Sequence, residues 1–300
     1  MKELTQQDMD DRTILNALFE KRKQSNTTKE GFFYFENQEF LIAQGEETYV
    51  VVAGDMAVGF PLFMEGESDF SKFLATLSLL RQIGRPTLET VWDVGANVGS
   101  ICIPAVRRGF VKKAIAFEPE SKLFRLLRAN AILNGVESRI AFHNVALGAK
   151  RSHVDLTMGV GNTGDYRIAG LEFDDDCMGE SSRVAQRVEV RPMDDFIEEF
   201  NAQSTLIYMD IQGYEGVALR GGARVLDACP PLVAEFWPYG MKRLESYVHL
   251  RDSICGGRYT MFADLSNERA EFEHLSATAL DMLYERLGEN AQASTDLLFV

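Results

Sequence analysis

The sequence is short of basic residues, of cysteine and of long apolar runs. Lys and Arg number 31 against 45 for Asp and Glu, which gives the 300-residue chain a formal net charge of −14. Because phosphate groups are bound by Lys and Arg, this balance argues against a nucleic acid or an anionic membrane as a partner. A polyphosphate cofactor is disfavoured for the same reason, and a neutral or cationic ligand fits better.

Cysteine spacing and apolar content bear on the compartment. The four cysteines form no C-x-x-C pair: Cys102, Cys177, Cys229 and Cys255. We therefore predict neither a disulfide framework nor a zinc cluster, and we expect a cytoplasmic protein. The N-terminal MKELTQQDMDDR is polar and acidic, unlike a signal peptide. Asp55 and Gly59 interrupt the most apolar stretch, so no transmembrane helix is expected.

The chain divides into two predicted parts. Residues 1–84 carry a helical pattern over 8–24, strand-like runs over 31–63 and a second helical pattern over 70–83, which we interpret as a cap. Residues 85–300 alternate short apolar runs with helical stretches. That alternation predicts an α/β fold with a mostly parallel, doubly wound sheet, whose ligands bind at the carboxyl ends of the strands.

The predicted elements of the second part follow in a regular order. Strands are predicted in ETVWDVG, AIAFEPE, RIAFHNVAL, TLIYMD, PPLVAEF, RYTMFADL and DLLFV. Helices are predicted over 98–109, 121–134, 215–228 and 276–287.

A glycine-bearing turn follows the first of these strands. Gly95 and Gly99 in WDVGANVG would let the backbone approach a ligand, and the next helix would offer free N–H groups to an anion. The spacing is not the dinucleotide fingerprint G-x-G-x-x-G, and Asp93 would repel a pyrophosphate. A zwitterion such as the methionine part of S-adenosylmethionine fits better, with its ammonium near Asp93. The alternative is a plain strand-to-helix turn.

Glu118 ends the next strand, about 20 residues beyond the turn, where an acid that binds ribose hydroxyls is expected. A literal G-x-G-x-x-G does occur at Gly159–Gly164, but no helix follows it, so we interpret it as a flexible loop that could lie over the site. The acidic run 174–176 is interpreted as a solvated loop rather than a metal site.

A third constellation follows the fourth strand. Asp210 ends that strand and Glu215 opens the next helix, so we expect both carboxylates to face the cleft. Either could orient a methyl group or accept a hydroxyl proton. For Glu215 the alternative is that it only complements the helix dipole.

The segment from about Glu89 to Phe236 resembles the FkbM family of S-adenosylmethionine-dependent methyltransferases, within the class I fold. The resemblance rests on WDVGANVG, AFEPE, NVALG, GNTGD, RPMDDF, MDIQGYEGVALRGG and PPLVAEFWP, in that order. It implies a Rossmann-like sheet of seven strands, mostly parallel with an antiparallel C-terminal strand. It also implies cofactor contacts at Asp93, Gly95, Asn97, Gly99 and Glu118, at the adenine-side turn Asn144, Val145 and Ala146, and at Asp210 near the transferred methyl.

The resemblance has two departures: Tyr208 and Gln212 stand where the family usually has Lys and Glu. We expect O-methylation of a small molecule or sugar, with Asp210 as the first candidate base and Glu215 as the second. No metal is required, although a divalent site centred on Asp210 stays open. An NAD-dependent oxidoreductase and a non-catalytic S-adenosylmethionine-binding module are the alternatives, and a nucleic-acid methyltransferase is disfavoured.

Overall fold

The computed structural model describes residues 39–85, 87–171, 176–267 and 269–300. The predicted helix over 8–24 and the first part of the predicted strand-like runs, residues 31–38, lie outside these residues. The described strands are β1 Phe40–Gln44, β2 Thr48–Val52, β3 Thr90–Val94, β4 Lys113–Phe117, β5 Ile140–His143, β6 Ala146–Leu147, β7 Ser152–Met158, β8 Arg167–Ile168, β9 Val184–Arg191, β10 Thr205–Met209, β11 Leu232–Phe236, β12 Met261–Asp264, β13 Glu273–His274 and β14 Thr295–Phe299.

The described α-helices are α1 Gly59–Met64, α2 Phe70–Gln82, α3 Cys102–Arg107, α4 Ser121–Leu133, α5 Glu215–Leu219, α6 Ala223–Leu226, α7 Pro238–Arg243, α8 Tyr247–Cys255 and α9 Ala277–Gly288. Short 3₁₀ helices cover Glu137–Arg139, Thr163–Asp165, Glu180–Ser182 and Met193–Glu199.

The central sheet has the order β5-β4-β3-β10-β11-β14-β12-β13 within the described part of the chain. The strands β5, β4, β3, β10 and β11 are parallel, and β14 runs antiparallel between β11 and β12. The fold class predicted from the sequence is therefore confirmed: a Rossmann-like, mostly parallel sheet with an antiparallel C-terminal strand. The two-residue β13 adds an eighth strand at the edge.

Apolar strands place this sheet in the interior of the protein. Every residue of β3, β10 and β14 is buried, as expected when a sheet is covered on both faces. Because successive side chains of a strand point to opposite faces, Val91 packs into one hydrophobic cluster and its neighbour Trp92 into another. The sheet therefore separates two cores.

Several predicted boundaries were wrong. The single strand predicted in RIAFHNVAL is divided at Asn144 and Val145: β5 joins the central sheet, whereas β6 pairs with β9 in a second sheet of order β6-β9-β7-β8. The helix predicted over 215–228 is two short helices separated by Gly221 and Gly222. The helix predicted over 98–109 begins only at Cys102, because residues 97–101 form turns.

The described part of the cap packs on α4. Backbone groups at one edge of the hairpin β1–β2 are satisfied by two asparagine side chains. Asn130 lies on α4, and Asn134 is the C-cap of α4. The Val50 N–H donates to Asn130 Oδ1 at 2.7 Å, and the Thr48 N–H donates to Asn134 Oδ1 at 3.0 Å. These side chains take the place of a neighbouring strand. The boundary at residue 84 stays a prediction.

Within the ranges given above, no helix combines the length and the apolar content needed to cross a bilayer.

Candidate functional site

A cavity opens at the carboxyl ends of β3, β4 and β10, beside the point where the strand order reverses. The cavity and the open solvent at its entrance together hold about 1040 Å³ of empty space. This is the position at which open α/β sheets bind ligands. We call the part next to Glu118 and Val145 the β4 end, and the part next to Asp210 and Asp296 the β14 end.

The glycine turn lines the cavity, but the space beside both glycines is filled by protein. Gly95 and Gly99 have φ of 88° and 93°, a backbone region that favours glycine. A Cβ on Gly95 would lie 2.0 Å from the Asp210 carbonyl oxygen, and one on Gly99 would lie 2.5 Å from Ile103 Cδ1. Packing within the chain therefore requires glycine at both positions. Gly95 also lines the cavity, and the contact of this turn with a ligand stays a prediction.

Asp93 is buried at the floor of the cavity and is joined to the start of α3. Its Oδ2 accepts from the Cys102 N–H at 3.0 Å. Burial raises the pKa of Asp93 to about 6, while the hydrogen bonds with Cys102 oppose the rise. The carboxylate therefore satisfies the first turn of α3 as well as facing the cavity, which the sequence did not indicate.

Glu118 fixes two backbone turns at the β4 end. Its Oε2 accepts from the Asn97 N–H and its Oε1 accepts from the Glu120 N–H, each at 2.8 Å. Burial raises the pKa of Glu118 to about 8, and these two hydrogen bonds limit the rise. Asn97, with φ of 51°, is held in a strained left-handed conformation by this contact and by its own side chain.

The turn predicted to lie near an adenine is next to Glu118. Asn144 is exposed, and its Nδ2 donates to the carbonyl oxygens of Glu118 and Pro119 at 2.8 and 3.1 Å. Val145 and Ala146 line the cavity, whereas Asn144 holds the two strand ends together behind it. An apolar wall therefore adjoins the Glu118 carboxylate.

Asp210 lies at the β14 end and shares an amide with a second acid. The Gln212 Nε2 donates to Asp210 Oδ1 at 2.8 Å and to Glu235 Oε2 at 2.9 Å. Asp210 is exposed, but desolvation by the surrounding cavity and then the charge of Asp296 raise its pKa to about 6. Burial and the charge of Asp210 raise the pKa of Glu235 well above its usual value.

Glu215 does not face the cavity, so the expectation that both carboxylates do so was wrong for it. The side chain is fully buried, and its Oε1 accepts from the Ile211 N–H at 2.9 Å and the Gly213 N–H at 3.4 Å. Burial raises the pKa of Glu215 to about 8, although the backbone hydrogen bonds oppose the rise. Glu215 therefore holds the turn that follows Asp210.

The loop at Gly159–Gly164 does reach the site, and it is anchored there. Thr163 lines the cavity; its Oγ1 donates to Asp55 Oδ2 at 2.6 Å, and its N–H donates to Asp55 Oδ1 at 3.1 Å. The Asn97 Nδ2 donates to the Thr163 carbonyl oxygen at 3.1 Å. Asp55 was treated only as an interruption of an apolar stretch, and no local sequence signal links it to Thr163.

Among the described residues, no group of three or more His, Cys, Asp or Glu side chains is arranged to hold a metal ion. Asp176 accepts hydrogen bonds from the N–H and hydroxyl of Ser181, both at 2.8 Å. Its neighbours Asp174 and Asp175 lie outside the described residues.

The strand order reverses between β3 and β10, and the cavity lies at this point. This arrangement is that of the class I α/β fold used by methyltransferases. Residues 93–260 match the family model described as the methyltransferase FkbM domain. Because this match spans more than half of the chain, the protein belongs to the FkbM methyltransferase family. Among curated proteins, none matches the sequence.

Similar solved structures are distant. The FkbM methyltransferase of Methylobacillus flagellatus KT is 21% identical over 80% of this chain, with a TM-score of 0.44, and the chain spans only 50% of that protein. A putative precorrin-6Y C5,15-methyltransferase domain from Corynebacterium diphtheriae is 14% identical, covering 77% of this chain and 96% of that one, with a TM-score of 0.34. An RNA methyltransferase from Salinibacter ruber, in complex with S-adenosyl-L-homocysteine, is 14% identical, covering 54% and 74%, with a TM-score of 0.27.

Proposed function

We propose that the protein transfers a methyl group from S-adenosylmethionine to a hydroxyl group of a small molecule or sugar. The observation that carries the proposal is a single cavity with Glu118 at one end and Asp210 at the other. The family supports methyl transfer as the reaction class. The proposal that the acceptor is a hydroxyl group rests on the Asp210 carboxylate at the β14 end, which could take up the hydroxyl proton.

The residues of the cavity fit this cofactor in chemistry. Carboxylates and an apolar wall line one space, as a nucleoside with an amino-acid arm requires. In the proposal Glu118 accepts the two ribose hydroxyls, while Val145 and Ala146 contact the adenine. The turn from Gly95 to Gly99 lies along the methionine part, with Asp93 on the ammonium side. These contacts involve no phosphate, in agreement with the acidic lining.

S-adenosylmethionine supplies an electrophilic methyl carbon on a positively charged sulfur. The task left to the chain is to position an acceptor oxygen in line with that carbon and to take up its proton. Asp210 is the proposed base, because a carboxyl with a pKa of about 6 is ionised at neutral pH and can hold a proton. The amide of Gln212 fixes one of its oxygens.

The acidic lining suits this donor and not the alternative cofactor. Asp69, Asp93, Asp210 and Asp296 line the cavity against two cations, Lys72 and Arg167, and a pyrophosphate at these carboxylates would be repelled. The cationic donor is attracted by the same charges. The oxidoreductase alternative therefore loses support, whereas the non-catalytic module differs from the enzyme only in whether transfer occurs.

The test is a screen of sugar and polyketide alcohols with S-adenosylmethionine carrying a labelled methyl group. We expect a labelled O-methyl product together with an equal amount of S-adenosylhomocysteine. Transfer only to amines would contradict the hydroxyl acceptor. Binding without transfer to any acceptor would favour the non-catalytic module. Stabilisation by NAD and not by S-adenosylmethionine would favour the oxidoreductase.

A further inference from the structure

The β14 end of the cavity is completed by residues that lie outside the matched family domain. Lys72, on α2 of the cap, contacts Asp296 on β14, with 2.6 Å between Nζ and Oδ2. The same Nζ lies 2.9 Å from Asp69 Oδ1. Lys72, Asp69 and Asp296 all line the cavity with Asp210. A cation from the start of the chain therefore reaches the predicted reaction site.

The helix that carries this cation also packs on β10. The Tyr208 ring packs against Phe73, with 6.4 Å between the ring centroids. Phe73 directly follows Lys72 on α2. An apolar contact with β10 thus holds the helix that supplies the nearby positive charge.

A row of acids across the sheet ends at Asp296, the partner of Lys72. Met209 pairs with Ala234, and Ala234 pairs with Leu297, so Asp210, Glu235 and Asp296 follow one another across three neighbouring strands. Like charges in one row raise each other's proton affinity, and a nearby cation lowers it.

Further titratable groups act electrostatically on this row from the packed elements. They are Asp69 from the residue before α2, Asp93 from β3, Tyr208 from β10, Glu215 from α5 and Asp264 from β12. The charge of Lys72 lowers the pKa of Asp210 and so opposes the effect of Asp296 and Asp69.

We propose that Lys72 is a positioning residue for the reaction: from the cap it pairs with Asp296, and it thereby keeps Asp210 ionised beside that acid. The proposal rests on the proposed function only in assigning Asp210 as the base. Without the ammonium group, no cation offsets the negative charge of Asp296, and the proton affinity of Asp210 increases. Asp210 then becomes protonated, and loses its base form, at a higher pH.

The effect can be measured without an acceptor. In protein labelled with ¹³C at the aspartate carboxyls, the Asp210 signal is assigned by its loss in Asp210→Asn and is titrated from about pH 4 to about pH 9. We expect Lys72→Met to raise the midpoint of Asp210 by at least about half a pH unit, about threefold in proton affinity. Lys72→Arg should restore most of the original value.

Two further variants separate a charge effect from damage to the fold. Asp296→Asn removes the acid next to Asp210 and should move the midpoint downwards, opposite to Lys72→Met. Lys112→Met removes an exposed ion pair with Glu89, away from the cavity, and should leave the midpoint where it is. A loosened fold would not produce shifts of opposite sign.

An Asp210 midpoint that is unchanged in Lys72→Met would overturn the proposal, as would a shift of the same size in Lys112→Met. Calorimetric binding of S-adenosylmethionine to the unmodified protein is measured alongside. If the cofactor binds and the midpoint does not move, the role of Lys72 is wrong while the proposed function stands. If the midpoint moves and the cofactor does not bind, the proposed function fails instead.

Discussion

The carbonyl oxygen of Asp210 occupies the space that a side chain at Gly95 would need, since a Cβ there would come within 2.0 Å of it. The turn after β3 and the end of β10 are thus in backbone contact, and the Asp210 N–H also donates to the Val94 carbonyl oxygen at 3.0 Å. The placement of Asp210 in the cavity therefore depends on glycine at position 95.

Gly95→Ala should destabilise the protein by more than backbone strain alone. Gly135→Ala is the matched control, because Gly135 also has a positive φ of 65° but no atom lies within 4 Å of the added Cβ. We expect a loss of about 1 kcal/mol for the control and at least about 2 kcal/mol more for Gly95→Ala, measured by urea unfolding. Equal losses would show that the contact with Asp210 has no energetic weight.

Glu215 gives a prediction about stability. Glu215→Ala removes the acceptor of the Ile211 and Gly213 N–H groups, and it should lower the free energy of unfolding by about 1–3 kcal/mol. Urea unfolding measures the loss, and an unchanged free energy of unfolding would contradict the assigned contacts.

The pH dependence of Glu215 has a definite sign. Its pKa is raised in the folded state to about 8, so its contribution to stability is present at low pH and is lost as the pH rises through about 8. Glu215→Gln cannot ionise, so its stability relative to the unmodified protein should increase between about pH 6 and about pH 8.5. A relative stability that falls over this range would contradict the burial of Glu215 as an acid.

Asp210→Asn should separate turnover from binding. Asparagine keeps the oxygen that accepts from Gln212, so the affinity for S-adenosylmethionine should change little. Loss of the base should reduce kcat at least about a hundredfold with a hydroxyl acceptor. Asp252→Asn, an exposed change on α8, is the control and should retain full kcat. If Asp210→Asn had the same kcat as the unmodified protein, Asp210 would not be the base.

Much of the fold could be predicted because parallel strands are short apolar runs that end in polar residues. Asp93, Glu118 and Asp210 each stand at such an end, and the sheet places all three at one cavity. The division of the third strand at Asn144 could not be predicted. Its two halves have similar apolar sequences, and only the distant partner β9 draws β6 into the second sheet.

The details of the site depend on contacts between distant residues. Nothing near Gly95 in the sequence indicates that Asp210 lies against it. Side-chain direction decides that Asp210 faces the cavity while Glu215 lies beneath it, and spacing alone does not give that direction. Lys72 and Asp296 come from opposite ends of the chain, so no motif could have joined them.

Binding of the nucleoside part should depend on pH through Glu118. Its pKa is about 8 before binding, and ribose hydroxyls donate best to the ionised form. Affinity should therefore increase as the pH rises to about 8 and then level off. Methylthioadenosine is the appropriate ligand, because it lacks the amine that titrates in S-adenosylmethionine. Glu118→Gln should abolish the dependence, and tighter binding at low pH would contradict it.

The most direct test of the cofactor site is calorimetric titration of S-adenosylmethionine into the unmodified protein and into Glu118→Ala, with thermal unfolding as a check on folding. Loss of charge-assisted hydrogen bonds should weaken binding by roughly 1.5–3 kcal/mol, more than tenfold in Kd. Glu118→Gln, which keeps one acceptor oxygen for the Asn97 or Glu120 N–H, should lose less. A Kd that is the same in a folded Glu118→Ala protein would contradict the assignment of this cavity to the cofactor.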